Sequence, residues 1–224
     1  VAGPGFDPLT LPIAEVSADP PLGPAEIDAP ALVRAFQSGK AWQTEPIVEP
    51  RSTSRAGEPV VAAVLIGLVQ HAEGLSVLLT QRTAHLHDHA GQISFPGGRA
   101  EPEDADAAAT ALRETEEEIG VDGSFIEVLG QLPVYLTGTG FSVTPVVALI
   151  RAGFTPSPDP FEVAEVFEVP LSYLMDPRNH QTRRASIAEV TRAFYTMPYG
   201  NYFIWGATAG MLRNLYRFLA AQRS

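Results

Sequence analysis

Glu114, Glu117 and Glu118 stand in the run Arg113-Glu114-Thr115-Glu116-Glu117-Glu118-Ile119-Gly120. Successive helical residues turn by about 100°, so Glu117 and Glu118 lie one turn beyond Glu114, on either side of its direction. Three carboxylates are expected to converge on one patch. Each like-charge pair at that spacing costs about 0.2–0.5 kcal/mol. The negative end of the helix dipole worsens the repulsion. The arrangement makes sense if Mg²⁺ or Mn²⁺ is held there, since these hard cations prefer carboxylate oxygens, waters and substrate phosphates. The plain alternative is a solvated acidic face. Two neighbours favour chemistry: Gly97-Gly98 precedes the helix, and Arg113 is positioned to pair with an acid near the loop or along the helix.

Composition agrees with such a partner. The chain has 224 residues and no cysteine, and 15 Lys and Arg against 26 Asp and Glu give a net charge of −11. A disulfide framework, a thiol nucleophile and a cysteine–zinc site are excluded. The acidic balance argues against binding a nucleic-acid backbone. A phosphate substrate would need a cation to screen it from this protein. Residues 1–24 lack the basic start and apolar run of a signal peptide, and the longest apolar stretch, residues 60–69, is too short to span a bilayer. The expectation is a cytoplasmic protein with no membrane partner, and a homodimer is possible.

The elements that must position the acids follow from periodicity. Residues 1–28 are rich in Pro, Gly and Ala and read as a flexible arm ahead of one domain over 29–224. Asp28 caps a helix over 29–37, with Leu32, Val33 and Phe36 on one face and Gly39 as its stop. Residues 60–69 read as a strand buried on both faces, and 75–81 as its return. A loop follows from Arg82 to about Glu103, then a helix over 104–119 whose buried stripe is Ala108, Leu112, Thr115 and Ile119. Strands are expected at 125–136, 141–150, 161–169 and 190–197, a helical turn at 171–175, and a closing helix at 207–221 with Met211, Leu212, Leu215 and Leu219 inward. This is a mixed α/β sandwich.

The stretch from Gly98 to Val121 resembles the Nudix box: Gly, five residues, Glu, seven residues, Arg-Glu, an aliphatic or small residue, any residue, Glu-Glu, any residue, Gly, aliphatic. Gly98, Arg113, Glu114, Glu117, Glu118, Gly120 and Val121 match. Asp104 stands where Glu is usual, and eight residues rather than seven separate it from Arg113. The upstream segment resembles the coenzyme A pyrophosphatase branch of that family. Leu78, Leu79, Thr80, Arg82, Gly91, Phe95, Pro96, Gly97 and Gly98 match its signature in register. Thr83 replaces the usual Ser, and His87 stands where an Arg is usual. Residues 161–171 and 204–209 also resemble the branch, so the likeness spans roughly residues 30–220.

The resemblance implies a Nudix α/β/α sandwich, with a mixed sheet between helix 104–119 and the C-terminal helix. It implies a pyrophosphohydrolase that cleaves coenzyme A or an acyl derivative to 3′,5′-ADP and 4′-phosphopantetheine or its acyl form. Glu114, Glu117 and Glu118 would hold Mg²⁺ or Mn²⁺, and Arg113 would orient a glutamate. Arg82, His87, Phe95, Gly97 and Gly98 would meet the substrate. Glu162 or Glu165 would supply a base or an extra ligand. The alternatives are a Nudix hydrolase of ADP-ribose or NADH, and a catalytically silent nucleotide sensor. The intact acid set weighs against silence, because a sensor has no need of a repulsive metal patch. His85, His87 and His89 alternate as zinc ligands sometimes do, but no fourth ligand is evident.

Overall fold

The computed structural model describes residues 7–45, 57–84, 91–187 and 190–223. In chain order the elements are β1 (Ile13–Val16), α1 (Ala29–Gln37), β2 (Val60–His71), β3 (Gly74–Arg82), β4 (Ile93–Ser94), β5 (Gly97–Arg99) and α2 (Ala107–Ile119). Then come β6 (Ile126–Gln131), β7 (Tyr135–Leu136), β8 (Phe141–Arg151), β9 (Val163–Pro170) and the single turn α3 (Leu171–Leu174). β10 (Gln181–Ile187), β11 (Val190–Tyr199), β12 (Tyr202–Trp205) and α4 (Gly206–Ala220) close the chain.

The main sheet is mixed. β2 pairs parallel with β8 and antiparallel with β3 and β5; β9 and β4 add to β3, and β6 and β7 to β8. Alternation along the strands splits the apolar residues into two cores. Ala62, Ile66 and Leu68 of β2 and Val143, Val147 and Leu149 of β8 pack with α1 and α4. Ala63, Leu65 and Val69 and Val146, Ala148 and Ile150 pack with α2. Helices therefore cover both faces of the sheet, as the sandwich reading expects.

β2 and β3 match the expected strands, and Met211, Leu212, Leu215 and Leu219 of α4 are buried as expected. Asp28 caps α1, accepting from the Ala31 amide, and Gly39 beyond it takes φ 61°. Other expectations are corrected. The loop 82–103 contains β4 and β5. The strand expected at 125–136 is broken into β6 and β7: after Leu132, whose amide still donates to the Pro145 carbonyl, the chain leaves the β8 ladder until Tyr135. α2 starts at Ala107, with Asp106 rather than Asp104 near its cap, accepting from the Ala109 amide.

The segment read as a loose arm is, from residue 7 to 28, part of the fold. β1 pairs with β10 at the edge of a second sheet ordered β1-β10-β11-β12. Arg183 donates to the carbonyls of Pro8, Leu9 and Leu11. Buried Arg213 of α4 donates to Ser17, Asp19, Glu45 and His180 Nδ1. His180 Nε2 meets the Leu174 carbonyl at 2.6 Å, so the ring is neutral, with its proton on Nε2. Burial holds the His180 pKa down at about 4.

Candidate active site

α2 lies on β2 and β5, and its closeness to them decides which side chains are buried. Ala111, Thr115, Glu118 and Ile119 face the sheet, while Ala108 and Leu112 are only half-buried. The expected stripe is thus rotated toward Ala111 and Glu118. Ala111 and Ile119 pack there with Ala63, Leu65, Val146, Ala148 and Ile150 of β2 and β8. Glu118 consequently sits under the helix. Its side chain is 7% exposed, against 18% for Glu114 and 60% for Glu117. The three carboxylates do not form one solvent-facing patch, and among the described residues no three His, Asp or Glu side chains come together as a formed cation cage.

Glu118 is held by Gly97, and Glu114 and Glu117 by Arg113. Gly97 donates its amide to Glu118 Oε2 at 3.1 Å. Gly97 also takes φ 151°, and a Cβ there would lie 2.4 Å from the Ala63 carbonyl, so no other residue fits. A Cβ at Gly98 would lie 2.4 Å from the Glu114 carboxylate. The two glycines let the β5 backbone come into contact with two acids at once. Burial pushes the Glu118 carboxyl up to about 7; the Gly97 amide and Arg82 oppose the rise, and the charges of Glu162 and Glu114 add to it. Burial also raises the Glu114 carboxyl.

Arg113 is the organiser of the exposed side. Its Nε and Nη2 meet the two Asp104 oxygens at 3.1 and 3.0 Å, and Nη2 also donates to the Arg99 carbonyl at 3.0 Å. Nη1 is shared between Glu114 Oε1 at 3.1 Å and Glu117 Oε2 at 2.9 Å. Asp104 accepts further from the Glu101 amide and the Thr110 hydroxyl, each at 2.9 Å. Hydrogen bonds from Arg113 hold the Asp104 carboxyl well below the usual carboxylate range. Arg113 therefore touches two of the glutamates. The roles of Asp104 and Thr110 were not legible, because nothing in the spacing distinguishes an anchor from a helix cap.

Arg82 ends β3 on the same face as Leu78 and Thr80. Its Nη1 stands 4.0 Å from Glu118 Oε1, and its buried Nε has no acceptor among the described residues. Of the two candidate acids, Glu165 lies in β9 and Glu162 just before it, and β9 has a bulge near its start. Gln81 pairs with Glu165 but Arg82 with Val163, which leaves Ala164 as the extra residue and reverses the alternation. Glu165 alternates regularly with Phe167 and Val169 and so faces the α4 side, where the Tyr202 hydroxyl donates to it at 2.7 Å, and Tyr202 stacks on Phe167. Glu162 stays with the acid group, close enough for its charge to raise both Glu114 and Glu118. Its segment hangs from the end of α2: Asp159 donates to the Glu118 carbonyl, and Glu162 and Val163 donate to that of Asp159. Phe95 is a correction. It is 2% exposed inside the α1/α4 core, so it packs rather than meeting a ligand. His87, with His85 and His89, lies outside the described residues.

Residues 58–190 match the NUDIX domain family. The chain belongs to the Nudix family. Nudix hydrolase NudL of Yersinia enterocolitica is 40% identical to it over 167 residues, 75% of this chain and 85% of the relative. NudL of Yersinia pestis is 40% identical over 154 residues, 69% of this chain and 77% of the relative. Among solved structures, the Nudix hydrolase RenU of M. smegmatis is similar, with 22% identity, a TM-score of 0.46 and coverage of 59% of this chain and 81% of that one. The chain is accordingly a Nudix pyrophosphohydrolase, and its α/β fold with a mixed sheet is that of the family. Nudix hydrolases use divalent metals such as Mg²⁺ or Mn²⁺. The donor set here fits that chemistry: carboxylate oxygens only, one of them buried and poorly compensated, beside a glycine backbone with no side chains in the way. Among the described residues, no helix is long and apolar enough to cross a membrane.

Proposed function

We propose that this Nudix enzyme hydrolyses the diphosphate of coenzyme A or an acyl-coenzyme A, using Mg²⁺ or Mn²⁺ held by Glu114, Glu117 and Glu118. The observation that carries the metal reading is Glu118. A carboxylate this buried, with another acid on either side and its nearest cation at 4.0 Å, lacks the counter-charge that would keep it ionised. A divalent ion supplies that charge, and when bound it lowers the pKa of water and neutralises phosphate oxygens.

The protein's own residues do the rest. Arg113, fixed by Asp104, aims Glu114 and Glu117. Gly97 fixes one oxygen of Glu118 and leaves the other free. Arg82 meets a phosphate of the substrate, since its guanidinium is short of acceptors. Gly98 keeps backbone rather than side chain beside Glu114. Glu162 takes the proton of the attacking water or adds a ligand; Glu165, turned to Tyr202, does neither. His87 meets the extra 3′-phosphate in place of the branch's Arg.

The choice of coenzyme A rests on the signature from Leu78 to Gly98. Profiling coenzyme A, dephospho-coenzyme A, ADP-ribose and NADH in Mg²⁺ and in Mn²⁺ tests it. The expected result is release of 3′,5′-ADP with the highest kcat/KM for coenzyme A. A higher kcat/KM for ADP-ribose or NADH would overturn the substrate while leaving the reaction class.

A further inference from the structure

Arg113 is bound to three carboxylates, and they are not equivalent. Asp104 takes two of its nitrogens in a fork-to-fork pair and is itself held by the Thr110 hydroxyl and the Glu101 amide. Its side chain is mostly buried, at 8% exposed. Glu114 and Glu117 share the single remaining nitrogen, Nη1. Glu114 is confined by Gly98, whereas Glu117 is largely open to solvent. One end of the guanidinium is therefore anchored, and the other is a counter-charge shared by two acids.

We propose that Arg113 is a tethered counter-cation competing with a divalent ion for Glu114 and Glu117, and that Asp104 sets the strength of this competition. The inference rests on the metal reading above. Three carboxylates and one guanidinium leave the group with two net negative charges. While Asp104 is ionised, much of the field of Arg113 is spent on it, and Glu114 and Glu117 remain attractive to a cation. Replacing Asp104 by Asn leaves a single net negative charge and turns the whole guanidinium charge on the two glutamates. Replacing Arg113 by Met leaves three negative charges and no competitor. The two halves of one salt bridge thus act on ion affinity with opposite signs. A clamp that only positions the acids predicts the same sign for both, since either change loosens them.

The test is titration of the metal-free protein with Mn²⁺ alone, with the free ion measured by electron paramagnetic resonance, so no turnover is involved. Asp104→Asn is expected to raise the Kd roughly three- to tenfold, and Arg113→Met to lower it by a similar factor. Asp104→Glu keeps the charge and is expected to stay within about twofold of the parent protein. If both Asp104→Asn and Arg113→Met weaken binding, or neither changes it, the proposal is overturned. Should Asp104→Asn fail to fold, Arg113→Met alone decides: tighter binding supports the proposal and weaker binding overturns it. Glu118→Gln is the control on the underlying reading. If Mn²⁺ binds the Glu118→Gln protein as tightly as the parent, the ion is not at this acid set, and the metal reading falls first and takes the proposal with it.

Discussion

Removing the charge of Glu118 should make the metal-free protein more stable. Burial moves this carboxyl from 4.5 to about 7. Below pH 4.5 it is neutral in both the folded and the unfolded chain, and its ionisation contributes nothing. Between pH 4.5 and 7 the unfolded chain loses its proton first, and folding is penalised increasingly. Above pH 7 the penalty is complete. At about 1.4 kcal/mol per pH unit the full penalty is about 3 kcal/mol. The side chain is 7% exposed, so solvent screening removes little of it. Gln has the same shape, and its carbonyl oxygen still accepts from the Gly97 amide. In EDTA at pH 8, Glu118→Gln should therefore melt roughly 6–12 °C above the parent protein, given about 2–4 °C per kcal/mol at this chain length. At pH 4.5 the two should melt together. Mg²⁺ should narrow the pH 8 gap, because it binds the parent more tightly than the variant and so stabilises it more. The assay is a thermal melt by circular dichroism. A Glu118→Gln protein less stable than the parent at pH 8 in EDTA would refute the reasoning, because Glu118 would then be compensated by groups already in the fold.

Gly98→Ala puts a methyl 2.4 Å from the Glu114 carboxylate, so it should cost turnover by displacing that acid; unchanged kcat would show that the contact is not tight. Arg113→Ala should lower kcat more than it raises KM, and a pure KM effect in steady-state kinetics would instead mean direct substrate contact. His180, held down at about 4 against an ordinary 6.5, contributes stability that is intact above pH 6.5 and lost as pH falls toward 4, by about 3 kcal/mol. The difference in urea unfolding free energy between the parent and His180→Gln, whose amide replaces both hydrogen bonds, should show that slope, since the opposing slope of Glu118 is common to both; a difference that is flat with pH would contradict it. Hydrolysis in H₂¹⁸O should place the label on a phosphate product, and mass spectrometry finding it only on a non-phosphate product would rule out attack at phosphorus.

The strands that carry the site were legible because β2 and β3 are long, apolar and bounded by clear turns. α2 was legible by type, but its facing was not. Of the expected stripe, Thr115 and Ile119 are buried and Ala108 and Leu112 are half-buried, while Ala111 and Glu118, not in that stripe, are buried with them. No periodicity rule foresees a carboxylate on the inner face. β10 was missed because Gln181-Thr182-Arg183-Arg184 lacks alternation; Arg183 is buried by pairing with N-terminal carbonyls. The N-terminal segment was missed for the same reason, since Pro and Gly content says nothing of an arginine waiting to bind its backbone. Glu162 and Glu165 were indistinguishable in sequence; Glu165 lies within β9 on the face of Phe167, whereas Glu162 belongs to the turn before the strand, which hangs from the end of α2.

The central claim is that the acids of α2 hold the ion that drives hydrolysis. Its most direct test is the kcat of Glu118→Gln on coenzyme A at saturating substrate and saturating Mg²⁺. The variant keeps the shape and loses one ligand charge, and kcat should fall by at least about a hundredfold, the loss typical of removing one preorganised electrostatic group. Turnover at the parent rate from a folded Glu118→Gln protein would contradict the claim.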